Sequence, residues 1–103
     1  MPSVYLKIYM TEKQRHDGQL LYEWLLDEAR KIGIEGGSVF RSVAGYGRYG
    51  QHHDETFFEL AGELPIQIEF VLDAMLADKY IAKLQPHHLN LFYVQYSVNI
   101  GYL

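Results

Sequence analysis

The residues with the clearest chemical potential form a short segment that contains two glycines and an arginine. Gly45 and Gly47 flank Tyr46, and Arg48 follows directly. Glycine lets backbone N–H groups approach phosphate oxygens closely, and arginine offers bidentate donors to the same oxygens. The segment is therefore a candidate anion-binding site. The alternative is an ordinary turn, which Gly-x-Gly spacing also marks.

Arg41 lies a few residues upstream of this segment and is the second arginine of interest. It could bind a ligand phosphate or the carboxylate of a neighbouring chain. The alternative for both arginines is a solvent-exposed ion pair, which adds little stability. For Arg48 the two interpretations weigh equally, whereas for Arg41 the ion pair is favoured.

The histidines are candidate ligands for a borderline metal ion, with no cysteine to compete. They form two doublets, His52-His53 and His87-His88, and His16 stands alone. His52 or His53 from several copies of the chain could meet at one ion. Adjacent residues of an extended strand point to opposite faces, however, so a doublet rarely supplies two ligands to one ion. Solvent-exposed loop histidines are the favoured interpretation, and metal binding through His52 and His53 is the alternative.

Catalytic chemistry has little support in the sequence. The absence of cysteine excludes disulfides, a thiolate metal site and a cysteine nucleophile. Acidic neighbours such as Asp54 and Glu55 are typical of a solvent-exposed loop, and no serine lies in a Gly-x-Ser-x-Gly motif. We therefore expect no enzymatic activity, no catalytic residue and no resident cofactor.

Length and charge restrict the class of protein. The 103 residues, of which 49% are hydrophobic and 21% charged, suit one globular domain spanning residues 1–103. The net charge of -4 argues against a nucleic-acid partner, which needs a basic surface. No apolar run is long enough to span a bilayer, and the N-terminus lacks the pattern of a signal peptide. We expect a cytoplasmic protein without direct membrane insertion.

The first part of the chain predicts a strand followed by a helix. Alternation predicts a first strand whose apolar face holds Val4, Leu6, Ile8 and Met10. Residues 11–18 are polar and predict a loop. A helix follows, with Asp17 as its expected N-cap and Gly33 as its expected stop. Its apolar stripe comprises Leu20, Leu21, Trp24, Leu25, Ala29 and Ile32.

The rest of the chain predicts three strands and one helix. Strands are expected near residues 38–44, from Pro65 onward and over residues 92–100, and the polar residues 45–55 predict a loop. Asp73 can cap the second helix, and Pro86 should end it nearby. The order β-α-β-β-α-β predicts an α+β, ferredoxin-like fold, in which an antiparallel four-stranded sheet carries both helices on one face.

The face of the sheet without helices is predicted to carry amphipathic side chains. Such a face suits burial against other subunits, and simple solvation is the alternative. The residues expected there are Tyr5, Lys7, Tyr9, Gln67, Glu69, Tyr93 and Gln95.

Three short motifs carry a resemblance to a known family. They are DGQLLY at residues 17–22, GGSVFR at residues 36–41 with AGYG shortly after it, and ELPIQIEF at residues 63–70. In this order and spacing, the set resembles the PII-like proteins of the domain of unknown function 190 family. More distantly, it resembles the nitrogen-regulatory PII proteins. The similarity runs from Val4 to about Leu84.

The resemblance implies a homotrimer whose sheets line the inside of the assembly. It also implies that residues 46–56 form a short T-loop, which changes conformation with bound ligand and engages a target protein such as a membrane transporter. Ligands, usually adenine nucleotides, would lie in clefts between subunits near the base of that loop. The candidate ligand-binding residues are Gly37, Arg41, Gly45, Tyr46, Gly47 and Arg48.

One stretch departs from the PII pattern. Residues 85–91 contain neither glycine nor lysine, whereas PII proteins have a Gly/Lys-rich loop before the last strand. An adenine nucleotide is the expected effector, with a different nucleotide, a smaller anion or no small ligand as alternatives. The rival functions are a metal-binding trimer that uses the loop histidines and a structural adaptor without a small ligand.

Overall fold

The computed structural model describes residues 2–45 and 65–103, and the account below concerns those residues. In chain order, its elements are β1 (Ser3–Thr11), β2 (Arg15–His16), β3 (Gln19–Leu20), α1 (Leu21–Lys31), β4 (Gly37–Arg41), β5 (Pro65–Asp73), α2 (Ala74–Leu84), a 3-10 turn (Gln85–His87) and β6 (Tyr93–Val98). Within these residues, four strands form an antiparallel sheet in the order β4-β5-β1-β6. The strand order and the two helices confirm the α+β, ferredoxin-like fold.

The core lies between the helices and one face of the sheet. In the central pair of strands, Leu6 lies opposite Phe70 and Ile8 opposite Ile68, and all four side chains are buried. They form one hydrophobic cluster with the buried side chains of α1 and α2. The strict alternation of buried and half-buried positions along β1, continued through most of β5, is the period-two pattern that the sequence displays.

The polar residues after β1 contain a small hairpin rather than a plain loop. β2 pairs with β3 around Asp17 and Gly18, both of which have positive φ angles, 50° and 82°. Asp-Gly is the dipeptide that favours a two-residue hairpin turn of this kind. The prediction of Asp17 as a helix N-cap is therefore wrong. α1 begins at Leu21, and its N-cap residue Leu20 supplies no side-chain hydrogen bond.

The C-terminus of α1 ends as predicted, at a glycine. Gly33 has a φ of 96°, and its N–H donates to the carbonyl of Arg30 at 3.1 Å. The next N–H, of Ile34, donates to the carbonyl of Ala29 at 3.0 Å, and the Ile34 side chain is buried. This pair of hydrogen bonds is a Schellman motif, which uses a left-handed residue to satisfy the last carbonyls of a helix.

Replacing Gly33 with alanine should destabilise the protein by about 1 kcal/mol, because a Cβ atom disfavours the left-handed conformation. That loss corresponds to a melting temperature lower by about 4–8 °C in a domain of this size. Thermal unfolding followed by circular dichroism measures it. Gly36→Ala is the matched control, since Gly36 lacks a positive φ and its added Cβ meets no atom within 4 Å. Equal losses for both variants would contradict the assignment.

β5 runs directly into α2. Asp73 is the last residue of the strand and the N-cap of the helix, and its carboxylate accepts a hydrogen bond from the Met75 N–H at 2.8 Å. The cap is the one predicted. α2 ends at Leu84, and Pro86 lies in the 3-10 turn that follows, so the predicted end of the helix is also confirmed.

The faces of β6 differ from the prediction. Tyr96 lies opposite Tyr5 and Val94 opposite Lys7, so these two residues share the face of the sheet without helices. Tyr93 lies opposite Ile8, and Gln95 lies opposite Leu6, on the helix side. The assignment of Tyr93 and Gln95 to the face without helices is therefore wrong. Both faces of this edge strand carry large side chains, and only the register decides between them. β4 is also shorter than expected and ends at Arg41.

Candidate functional site

The end of β4 places Arg41 where the chain leaves the sheet. β4 pairs with β5 so that Arg41 lies opposite Ile66, and the N–H of Ser42 donates to the carbonyl of Pro65 at 2.9 Å. The chain that departs after β4 therefore returns to the same end of the sheet. Arg41, the last residue of β4, is therefore positioned by the sheet at the point where the chain leaves it.

Arg41 forms an ion pair with Glu12, the residue that directly follows β1. Its Nε donates to Glu12 Oε1 at 3.1 Å, and its Nη2 donates to Glu12 Oε2 at 2.6 Å. This bidentate arrangement is the one a guanidinium makes with a carboxylate or a phosphate. The hydrogen bonds from Arg41 lower the pKa of Glu12, and Glu12 in turn raises the pKa of Arg41. The favoured prediction for Arg41, an ion pair, thus describes what the structure contains, with its partner in the same chain.

A shallow pocket of about 260 Å³ surrounds this ion pair. Its lining combines the charged side chains of Glu12 and Arg41 with three largely apolar ones. These are Val39, Ile66 and the phenol ring of Tyr22. An anion entering the pocket would meet a guanidinium that already donates hydrogen bonds to both carboxylate oxygens of Glu12. The guanidinium is thus paired with an acceptor of the same bidentate kind that a phosphate offers.

Gly37 occupies a packed position, away from this pocket. A Cβ atom there would lie 2.5 Å from the Phe70 ring, so the absence of a side chain lets β4 pass close to the core. Gly45 is the last residue of the first described range, which ends there and is followed by the second range from residue 65. The other predicted ligand-binding residues, Tyr46, Gly47 and Arg48, lie outside the described residues, as do His52, His53 and the predicted T-loop, residues 46–56.

Sequence reasoning missed Glu12, Tyr22 and the pocket. Glu12 directly follows β1, and its proximity to Arg41 depends on the pairing of both strands with β5. A carboxylate at the end of a strand is too common to indicate such a pair without that register.

The sheet face without helices, called the open face below, is lined with aromatic side chains. Tyr5 stacks on Tyr96 with ring centroids 5.0 Å apart, and Tyr9 packs on Phe92 at 5.6 Å. Lys7 lies between these pairs, with its Nζ 5.6 Å from the Tyr5 ring centroid and 5.9 Å from that of Tyr9. Cation–π contacts and stacking hold these rings as one surface.

A carboxylate lies at the centre of the open face. Glu69, opposite Lys7 in the register, accepts hydrogen bonds from the Tyr5 hydroxyl and from the Gln67 amide. Desolvation raises the pKa of Tyr5, and the hydrogen bond to Glu69 raises it further. Phe40, Tyr96 and Val71 are also part of this face, and each exposes about half of its surface. A contiguous aromatic and aliphatic surface around satisfied polar groups is typical of a protein interface.

None of the helices in the described part of the chain has the length and apolar character needed to cross a membrane.

Comparison with known proteins gives a consistent family assignment. The family model DUF190, described as an uncharacterized ACR, matches residues 3–99. A UPF0166 protein of Aquifex aeolicus is 29% identical over 98 residues, which cover 95% of this chain and 92% of that protein. A UPF0166 protein of Methanocaldococcus jannaschii is 35% identical over 66 residues, covering 64% of this chain and 60% of that protein.

Several solved structures with a similar fold are PII-like proteins. The structure of CPII from Thiomonas intermedia, a nitrogen regulatory PII-like protein bound to ADP, AMP and bicarbonate, has a TM-score of 0.67 at 16% identity. The match covers 100% of this chain and 97% of CPII. A PII-like signaling protein from Thermus thermophilus has a TM-score of 0.59 at 19% identity, covering 97% and 88% of the two chains. At these identities the likeness shows the fold.

Proposed function

Because the chain belongs to the DUF190 family and has a PII-like fold, we propose that it is a trimeric regulatory protein that senses an adenine nucleotide. The nucleotide would bind in clefts between subunits, near the base of the segment that begins after β4. The bound state would be reported to a target protein through residues 46–56. This role needs no catalytic step, and we propose that it is carried out in the cytoplasm.

Arg41 is the observation that carries the proposal. It is held at the end of β4 by a carboxylate in the bidentate geometry that also suits phosphate. A nucleotide phosphate would compete with Glu12 for the guanidinium, and Gly45, Gly47 and Arg48 would add backbone and side-chain donors. CPII, whose fold matches this chain, is bound to ADP and AMP.

The exchange of partners at Arg41 would provide the signal. When phosphate takes the guanidinium, Glu12 loses the two hydrogen bonds that hold it at the end of β1. The chain leaves the sheet directly after Arg41, so this change acts where the segment toward residues 46–56 begins. A ligand shifts a conformational equilibrium only through such differential contacts.

The open face supports the trimeric part of the proposal. Its aromatic and aliphatic side chains surround polar groups that are already hydrogen-bonded within the chain, Tyr5 to Glu69 and Gln67 to Glu69. Three copies facing one another across this surface would bury it without leaving those groups unsatisfied. Clefts between subunits would then form at the edges of the sheets, including the β4 edge that carries Arg41.

Nucleotide binding is tested by thermal unfolding with ADP, AMP and ATP. A ligand present at a hundredfold its dissociation constant adds about 2.7 kcal/mol of stability, which raises the melting temperature by about 10–20 °C in a domain of this size. Arg41→Gln should abolish the shift, because the substitution removes the bidentate cation. Calorimetry on the same proteins gives the binding constants.

Arg30→Gln is the matched control for that experiment. Arg30 is also an exposed arginine paired with one carboxylate, Asp27, at 3.1 Å, and it lies on α1 away from the pocket. The substitution Arg30→Gln changes the net charge by the same amount as Arg41→Gln. It should leave the nucleotide-induced rise in melting temperature intact. If no nucleotide binds the unsubstituted protein, the sensor proposal fails. If Arg30→Gln and Arg41→Gln weaken binding equally, the effect is one of net charge and the role of Arg41 is refuted.

A further inference from the structure

Two histidines and an aspartate meet on the side of the domain where the β2-β3 hairpin lies beside the end of α2. His16 is in β2, Asp17 is in the hairpin turn, and His87 ends the 3-10 turn after α2. His16 Nε2 lies 3.2 Å from His87 Nδ1 and 3.5 Å from Asp17 Oδ2. One ligand atom from each residue therefore lies within 4.8 Å of the other two.

The separation of the two imidazole nitrogens suits a shared metal ion. Zinc binds histidine nitrogen at about 2.0–2.1 Å, so two ligands of a tetrahedral ion lie about 3.3 Å apart. Without an ion, two neutral imidazoles at this distance share one hydrogen bond, since each has one donor and one acceptor nitrogen. The two nitrogens are therefore already at the separation that one shared ion requires, and turning the lone pairs toward that ion needs only small ring rotations.

A buried tryptophan holds both rings in place. The Trp24 ring centroid lies 4.3 Å from that of His16 and 4.7 Å from that of His87, in edge-on contacts. Trp24 is part of the hydrophobic core. The backbone of Asp17 is fixed by the two-residue turn between β2 and β3. The three ligands are thus supported by the core on one side and a hairpin on the other, as a preorganised site requires.

The site is open to solvent on its third side. The His16 side chain is 19% exposed and that of Asp17 is 66% exposed, and His87 is exposed as well. An ion can therefore reach the cluster from solution. Three protein ligands would leave a fourth position for water or another ligand.

We propose that His16, Asp17 and His87 bind one borderline divalent transition-metal ion per chain, with Zn²⁺ and Cu²⁺ as the favoured species. Imidazole and carboxylate ligands suit these ions. The site goes beyond the nucleotide-sensing role, and its three residues differ from His52 and His53, which the sequence marks as candidate ligands. It joins two parts of the chain that are 71 residues apart. Metal binding therefore stabilises the folded state.

Binding is measured on the full chain by calorimetry with Zn²⁺ and by Cu²⁺ quenching of tryptophan fluorescence. Trp24 is the only tryptophan, and it contacts both histidine rings, so an ion in this site must affect its emission. We expect one saturable site per chain. His87→Asn should weaken the affinity at least about tenfold, because removing a ligand costs no less than removing a residue that supports one.

His88→Asn is the matched control. His88 is the next residue, it has a φ of 52° that asparagine tolerates, and it is not part of the cluster. It should leave the affinity within about twofold of the original, since it removes no ligand. Asp17→Asn also keeps the turn while removing the charge, and it should weaken binding. Circular dichroism confirms that each variant is folded.

The outcomes are decisive in both directions. Loss of binding in folded His87→Asn and His16→Asn proteins, with His88→Asn unaffected, supports the site. The proposal is overturned if the unsubstituted protein has no saturable Zn²⁺ or Cu²⁺ site, or if His87→Asn binds as tightly as the original. It is also overturned if binding disappears only in His52→Asn/His53→Asn.

Discussion

Replacing Phe40 with glutamate should convert the proposed trimer into single chains. Phe40 lies on the open face, opposite Gln67 in the register, and 51% of its surface is exposed in the isolated chain. In the proposed trimer this surface would be buried. An unpaired carboxylate buried at an interface costs several kcal/mol, which is enough to shift the equilibrium to monomers at micromolar concentrations. Sedimentation velocity should give three times the 12.0 kDa chain mass before the substitution and one chain mass after it.

Met75→Glu is the control for the change of an exposed apolar residue to glutamate. Met75 is 72% exposed and lies in the first turn of α2, on the other side of the sheet. A glutamate at a helix N-terminus is compatible with the helix dipole. This variant should keep the mass of the unsubstituted protein. A trimeric Phe40→Glu protein, or an unsubstituted protein that sediments as one chain, would refute the role of the open face.

Replacing Tyr80 with alanine should cost about 3–5 kcal/mol, the largest loss of stability expected from a single residue of this core. Tyr80 is fully buried, and its ring packs edge-on against Phe70 with centroids 5.4 Å apart. Its hydroxyl donates to the carbonyl of Leu25 at 2.8 Å and so connects α2 to α1. Alanine removes the ring, leaves a cavity and breaks this connection. Urea unfolding at one fixed chain concentration measures the loss, because the proposed assembly would also contribute to stability.

Tyr80→Phe separates the two contributions. It keeps the ring and removes only the hydroxyl, so the expected loss is about 0.5–1.5 kcal/mol. A loss as large as that of alanine would mean that the hydrogen bond to Leu25 dominates. A loss under about 1 kcal/mol for Tyr80→Ala would contradict the packing described here, since a cavity in a close-packed core lowers the free energy of unfolding by more than that.

The strands were predictable wherever the two faces of the sheet differ in polarity. In β1 and β5 one face is the core and the other carries tyrosine, lysine, glutamine and glutamate, so alternation reveals both the strand and its orientation. In β6 this contrast is missing, because Tyr93 on one face and Tyr96 on the other are equally plausible core residues. The interface-like character of the open face is thus the physical reason that its last strand was assigned backwards.

Local signals with two uses were the second source of error. Asp17 followed by Gly18 fits a helix N-cap and also a hairpin turn, and the chain uses it as the turn. Gly33 and Asp73 were predicted correctly because each has one strong local use, a left-handed helix end and a carboxylate cap.

Sites that depend on tertiary contacts were beyond the reach of the sequence. Arg41 and Glu12 are 29 residues apart, and His16 and His87 are 71 residues apart. No local pattern marks either pair, and both depend on strand register or on packing around Trp24. The arginines and histidines stand out in the sequence by residue type, but their partners do not. The roles expected of residues 46–56 remain predictions.

The direct passage from β5 into α2 has a mechanical consequence. Asp73 belongs to the strand by its backbone and starts the helix by its carboxylate, so the two elements share a residue where a flexible hinge could have been. No loop separates the strand from the helix, so any change in the direction of α2 relative to β5 is confined to the backbone angles at this junction. Since α2 leads directly into the turn that ends at His87, the chain from Pro65, at the end of the sheet that carries Arg41, to that histidine is regular structure throughout.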